Sequence, residues 1–145
     1  MSNRENIANN IITVLDAVTS PIELKKITRE PFDVDELTQQ QYPAVFIQSG
    51  NEIRSDQTMT SSTITREAQA DFILVGFVKG GDNIDEKRNQ LIEVIESTLE
   101  SDRTRGGYAK RTEIVEVSTD EGTLYPVGGI RVVVRVMYQY TAGTP

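Results

Sequence analysis

The sequence predicts an α+β fold: a mostly antiparallel sheet with two amphipathic helices packed on one face. Three observations carry that reading. Residues 3–18 and 82–102 each repeat apolar side chains at helical spacing. Residues 43–49, 66–79, 111–118 and 129–141 are rich in β-branched and aromatic residues and largely alternate at period two. The order is helix, three strands, helix, two strands, which favours hairpin-like neighbours over βαβ crossovers.

The first helix rests on Ile7, Ile11, Val14, Leu15 and Val18, which form one apolar stripe. Ser2 or Asn3 can cap it, and Pro21 follows its end. Residues 22–29 read as a short strand, with Ile22 and Leu24 alternating with charges until Lys26 breaks the pattern. Residues 31–37 read as a loop with one helical turn. Pro43 suits the first position of the strand 43–49, and Gly50 its end.

Residues 50–67 are polar and hold few large apolar groups, so they are either a long exposed loop or a hairpin extension leaving the body. In strand 66–79, Ala68, Ala70, Phe72, Leu74, Gly76 and Val78 share one face. Ile73, Val75 and Phe77 share the other. Such a strand is covered twice, or covered once and used in an interface. Asp82 is the expected N-cap of the second helix, whose stripe is Ile84, Leu91, Ile92, Ile95 and Leu99, interrupted by Arg88. Asp120-Glu121-Gly122 is a turn. In the last strand Ile130, Val132, Val134, Val136, Tyr138 and Tyr140 share a face.

The 145 residues fit one domain, 1–145, with a protruding arm at about 50–67. Area scaling gives a folded surface of roughly 7,500 Å², enough burial for a core without disulfide or metal. The chain has no Cys and no His. That removes thiol nucleophiles, imidazole bases and the usual catalytic triads. No stretch resembles a signal peptide, and the apolar run Val132-Val133-Val134 is far too short to span a membrane. The Gly pairs match neither phosphate-loop pattern. Asp33, Asp35 and Glu36 are the residues a metal-dependent hydrolase would use, but Asp33-x-Asp35 lacks the Gly and distal Glu of a calcium loop.

Charge is the more informative signal. The net charge is −7, which disfavours a DNA-binding regulator. Residues 82–102 hold seven acids (Asp82, Asp85, Glu86, Glu93, Glu96, Glu100, Asp102) against Lys87 and Arg88. Glu93–Glu96 and Glu96–Glu100 are like charges at i,i+3 and i,i+4, each unfavourable by about 0.2–0.5 kcal/mol. The stripe is either a solvated face or a surface that meets a basic partner. Directly after it come Arg103, Arg105, Lys110 and Arg111. Four cations in nine residues exceed what a helix C-terminus needs. Glu93, Glu96, Glu100 and these four cations are therefore candidate subunit-interface residues, with one subunit's loop docking on the next subunit's helix.

The layout is familiar. An amphipathic helix precedes a short basic strand, then Tyr42-Pro43-Ala44-Val45-Phe46-Ile47-Gln48-Ser49-Gly50-Asn51-Glu52. A long strand ends in Val75-Gly76-Phe77-Val78-Lys79. The second helix closes with Leu99-Glu100-Ser101-Asp102 before Gly106-Gly107-Tyr108-Ala109. The chain runs out through Val134-Arg135-Val136-Met137-Tyr138-Gln139-Tyr140-Thr141. Over nearly its whole length this resembles the tail terminator (tail completion, minor tail) proteins of long-tailed bacteriophages.

The resemblance implies a structural virion protein of the tail or neck, assembled in the host cytoplasm. It implies a hexameric ring at the head-proximal end of the tail tube, which ends tube polymerisation and offers the head–tail connector a joining surface. DNA would pass through the lumen without specific binding. No enzymatic activity, cofactor or membrane is implied. A head-completion or neck adaptor protein is the alternative, and the metal-dependent hydrolase the competing class. Within the arm, Ile53, Arg54, Met59, Ile64 and Arg66 are the candidate contacts to the tube protein.

Overall fold

The structure, a computed structural model, describes residues 2–59, 63–80 and 83–145. The elements run α1 (Asn3–Asp16), β1 (Lys26–Thr28), β2 (Ala44–Met59), β3 (Ile64–Lys79), α2 (Ile84–Ser101), β4 (Arg111–Thr119) and β5 (Val127–Thr141). Two short 3-10 turns, Val34–Glu36 and Gln39–Gln41, lie between β1 and β2. The strands form one sheet in the order β1-β2-β3-β5-β4. Among the described residues only the β1–β2 pairing is parallel. The fold is thus α+β with a mostly antiparallel sheet, as the periodicities imply.

Local chemistry explains the helices. The Ser2 hydroxyl accepts from the Glu5 N–H at 3.2 Å, satisfying a first-turn donor of α1. Ile7, Ile11 and Leu15 are fully buried beneath it. In α2 the buried set is Leu91, Val94, Ile95 and Leu99, and each such side chain contributes roughly 1.5–3 kcal/mol on leaving water. Both helices lie on the sheet face made by Phe72, Leu74, Val132, Val134, Val136 and Tyr138. Gly76 lets α2 approach: a Cβ there would stand 2.9 Å from Leu91 Cδ2. The accessible surface of 7825 Å² is close to the expected value for this mass.

The second sheet face is partly covered. Phe32, in the β1–β2 connection, packs its ring at 5.1 Å from Phe46 and 6.0 Å from Phe77. Ile73 and Val75 remain half-buried there.

Several boundaries differ from the sequence reading. The strand expected over 22–29 shrinks to Lys26–Thr28 and pairs parallel with 44–46. The alternation of Ile22 and Leu24 with exposed Glu23 and Lys25 holds ahead of it and fails in the strand itself, where all three residues are half-buried. Helix α1 ends at Asp16, two residues short of Val18. Asp82, the expected cap of α2, lies outside the described residues. Asn83 precedes the helix and makes no side-chain cap bond.

Of the two forms open to residues 50–67, the described residues take that of a paired strand extension. β2 and β3 stay paired from Ala44↔Phe77 out to Met59↔Ile64, with register shifts between Ser49 and Glu52 and between Asp56 and Thr58. β5 accompanies β3 as far as Thr65↔Thr141. The arm is therefore a continuation of the sheet, with β3 in its middle.

Candidate assembly surfaces

The outer face of α2 follows from its inner one. With Leu91, Ile95 and Leu99 turned to the sheet, Glu93 and Glu96 are exposed and Glu100 is half-buried. Together with Ile92 they border a shallow groove of about 340 Å³. Glu100 is 3.4 Å from the Arg103 guanidinium, a partly exposed i,i+3 pair.

The loop after α2 divides the four candidate cations. Arg103 Nε donates to the Thr112 carbonyl at 3.1 Å, and the Thr112 hydroxyl donates back to the Arg103 carbonyl at 2.9 Å. Arg111 pairs with Glu113 at 2.6 Å, and Lys110 is exposed. Arg105 does not belong to the surface, which corrects its assignment to a subunit interface. It is fully buried, with φ at 50°, and its Nη2 donates to the carbonyls of Leu99 and Asp102. The last turn of a helix leaves carbonyls without partners, and Arg105 folds back to supply donors. Burial pushes its guanidinium pKa down, against the opposing pull of Asp102.

Asp102 organises the same turn. Its carboxylate accepts from the Thr104 hydroxyl at 2.6 Å and from the N–H groups of Thr104 and Gly106, each at 3.0 Å. These bonds, the hydroxyl first, hold its pKa below the usual carboxylate range.

A second buried cation escaped the sequence reading. Arg88, which interrupts the apolar stripe of α2, reaches the β4–β5 turn and pairs with Asp120 at 2.8 Å and with Asp85 at 3.0 Å. The Arg88 and Asp120 side chains are only 9% and 8% exposed. Asp120 also accepts from Gly129 N–H at 3.1 Å and Leu124 N–H at 3.0 Å. Gly128 makes room, since a Cβ there would stand 2.8 Å from Arg88 Cγ.

Burial alone would raise the Asp120 pKa. The Leu124 and Gly129 N–H groups and the Arg88 charge outweigh it, and the folded pKa is lowered. A lowered folded pKa makes the unfolded chain bind its proton first on acidification. The contribution of Asp120 is thus whole above the unfolded value of about 3.9 and is lost as pH falls through the folded pKa. Denaturant titrations from pH 6 downward are expected to show stability falling below about pH 4. Asp120→Asn should flatten that fall, and an unchanged slope would remove this assignment.

The arm is anchored by a polar cluster where it leaves the body. The Tyr138 hydroxyl donates to Glu52 at 2.8 Å, and the Glu52 side chain is 5% exposed. Burial first, then Glu52, pushes the Tyr138 pKa up to about 12. Arg54 pairs with Glu52 and lies over the Tyr140 ring at 5.3 Å. Arg4 of α1 donates to the Gly50 carbonyl at 2.8 Å and stands 3.7 Å from Glu52. Farther out, Arg66 pairs across the strands with Asp56 at 2.9 Å.

Ile53 is 72% exposed on the opposite face of the arm, and Ile64 is half-buried. Met59 is the last residue of β2, and residues 60–62 beyond it lie outside the described set. The arm thus carries an outward apolar side chain on a braced root. Arg54 and Arg66 are engaged in ion pairs within it.

Among the described residues, no three His, Cys, Asp or Glu side chains converge as metal ligands, and Asp33, Asp35 and Glu36 form no such group. No described helix is long and apolar enough to cross a membrane.

No family model and no curated protein matches this chain. Among solved structures, a chain of the virion of a native gene transfer agent particle aligns at 9% identity and a TM-score of 0.44. The alignment covers 90% of this chain and 92% of that one. A likeness so distant carries no weight for fold or role.

Proposed function

We propose that this chain is a structural protein of a tailed, phage-type virion. In this reading it works as a tail terminator: a ring of copies seated on the head-proximal end of the tail tube, halting its growth and presenting a joining surface to the connector. The observation that carries the reading is the braced arm, a three-strand extension with exposed Ile53 and a root tied by Tyr138, Glu52 and Arg4. An assembly partner that covered Ile53 would gain roughly 1.5–3 kcal/mol from fully burying its side chain.

The sequence resemblance to tail terminators supplies the particular assembly. The acidic face of α2 with Glu93, Glu96 and Glu100, beside Arg103, Lys110 and Arg111, is one side of the subunit interface in this proposal. The arm residues Ile53, Arg54, Met59, Ile64 and Arg66 meet the tube. The protein acts through these surfaces and not through catalysis.

The test shortens the arm. Residues 57–65 are replaced by Asn-Gly, joining the paired Asp56 and Arg66 through a two-residue turn, and Ile53→Asp replaces the exposed apolar side chain that stays below the cut. The variant is expected to keep its circular dichroism and thermal transition, because the core lies below the cut. In complementation of the phage lacking this chain, tails should be overlong by electron microscopy. Tails of normal length would overturn the tube contact, and normal tails without heads would favour a neck adaptor.

A further inference from the structure

A second charged surface lies at the other end of α2. Lys25, Lys79 and Lys87 border a cavity of about 320 Å³ whose apolar wall includes Ile22 and Val78. Lys87 Nζ donates to the Lys79 carbonyl at 3.0 Å, and Lys79 Nζ stands over the Tyr42 ring at 5.8 Å. Among the described residues the only acid bordering this cavity is Glu23, which is 3.3 Å from Lys25. The cavity therefore keeps a local excess of positive charge on a chain whose net charge is −7.

We infer that this lysine-lined cavity receives the acidic face of α2 from a second copy of the chain. The two surfaces match in charge and in apolar content. One groove, about 340 Å³, sets Ile92 among Glu93, Glu96 and Glu100. The other, about 320 Å³, sets Ile22 and Val78 among three lysines. A carboxylate trio meeting an ammonium trio around an apolar centre is complementary in both respects.

One chain cannot close this contact on itself. Lys87 and Glu96 lie on the same straight helix, nine residues or about 14 Å apart along its axis. Among the described residues these glutamates also have few cations of their own chain in reach. Arg103 reaches Glu100 only, and Arg111 is engaged by Glu113. A nucleic acid fits the lysines less well, because the acidic stripe of α2 lies on the same helix and would repel phosphates. The inference rests on the ring reading for its biological setting, since a contact between unlike patches can propagate from subunit to subunit.

The experiment uses the intact chain. Equal amounts of ordinary and 15N-labelled protein are mixed at high concentration and joined with a zero-length carbodiimide, which links lysine to carboxylate only in direct contact. Mixed-isotope peptides joining Lys25, Lys79 or Lys87 to Glu93, Glu96 or Glu100 are expected. Lys79→Glu with Lys87→Glu, which leaves Lys25 as the reporting amine, should lower the yield of the Lys25-linked peptides about tenfold, and adding Glu93→Lys with Glu96→Lys in a second chain should restore association in the mixture. Circular dichroism of each variant checks its fold. Absence of these mixed-isotope peptides, or no loss on charge reversal, overturns the contact.

Sedimentation of the same samples judges the ring separately. Rings without these cross-links remove the contact and leave the ring. Cross-linked dimers that never close into a larger species keep the contact and remove the ring.

Discussion

Asp120→Ala is expected to destabilise the protein by about 3–5 kcal/mol, because it leaves a buried guanidinium without its carboxylate. The Arg88 side chain is 9% exposed and held between Asp120 and the far more exposed Asp85. Truncating Asp120 also frees the N–H groups of Gly129 and Leu124, which both donate to it. Three functions of one carboxylate are lost together: the ion pair, the closure of the turn, and the tie between α2 and the β4–β5 connection. Urea unfolding at pH 7 measures the loss. Arg88→Met in the same chain should recover part of it, since the uncompensated charge is then gone. A single-variant loss below about 1 kcal/mol would show that water reaches Arg88, as at an ordinary surface pair.

Arg105→Ala has the second largest expected effect, also about 3–5 kcal/mol, the range for deleting a large buried side chain. Arg105 is fully buried and donates to the carbonyls of Leu99 and Asp102 at the end of α2. Its removal opens a cavity beneath the loop and strips donors from the last turn. Arg105→Lys should rescue part of it, because Nη2 alone makes both bonds and an ammonium can donate twice, while its smaller head leaves part of the guanidinium's volume empty. Thermal unfolding compares the two variants. Arg105→Lys no more stable than Arg105→Ala would show that the two donated bonds do not hold the loop. The loop would then be held by Asp102, which organises the backbone from the other side.

The helices and the long strands were legible because their patterns are strong. Leu91, Ile95 and Leu99 mark the buried face of α2, and the run from Ile130 to Tyr140 marks that of β5. The short strand β1 was blurred because its three residues are all half-buried, so no alternation is written there. The arm was ambiguous for a related reason: its described residues in 50–67 are exposed or half-buried, so no buried face is written there.

The two buried arginines were hidden for the opposite cause. A charged residue reads as exposed unless its partner is known, and Asp120 is 32 positions from Arg88 in the chain. A faint signal existed, since Arg88 falls within the apolar stripe of α2. Arg105 offered only its place just after a helix end, where a surface cation is equally at home. The candidate site was legible in part. Glu93 and Glu96 are exposed as expected. The lysine-lined cavity was not foreseen, because Lys25, Lys79 and Lys87 are scattered in the sequence and gathered only by the fold.

The two register shifts in β2 have a consequence for the protein before it meets any partner. Among the described residues β1 covers β2 only from Ala44 to Phe46, and no described strand neighbours the remaining outer edge of β2, out to Met59. A straight bare edge of that length invites the same edge of another molecule to stack against it and seed fibrils. Interruptions at Ser49/Glu52 and Asp56/Thr58 break the spacing of its amide and carbonyl groups. The same irregularities that bend the arm thus work against stacking of two copies through their backbones.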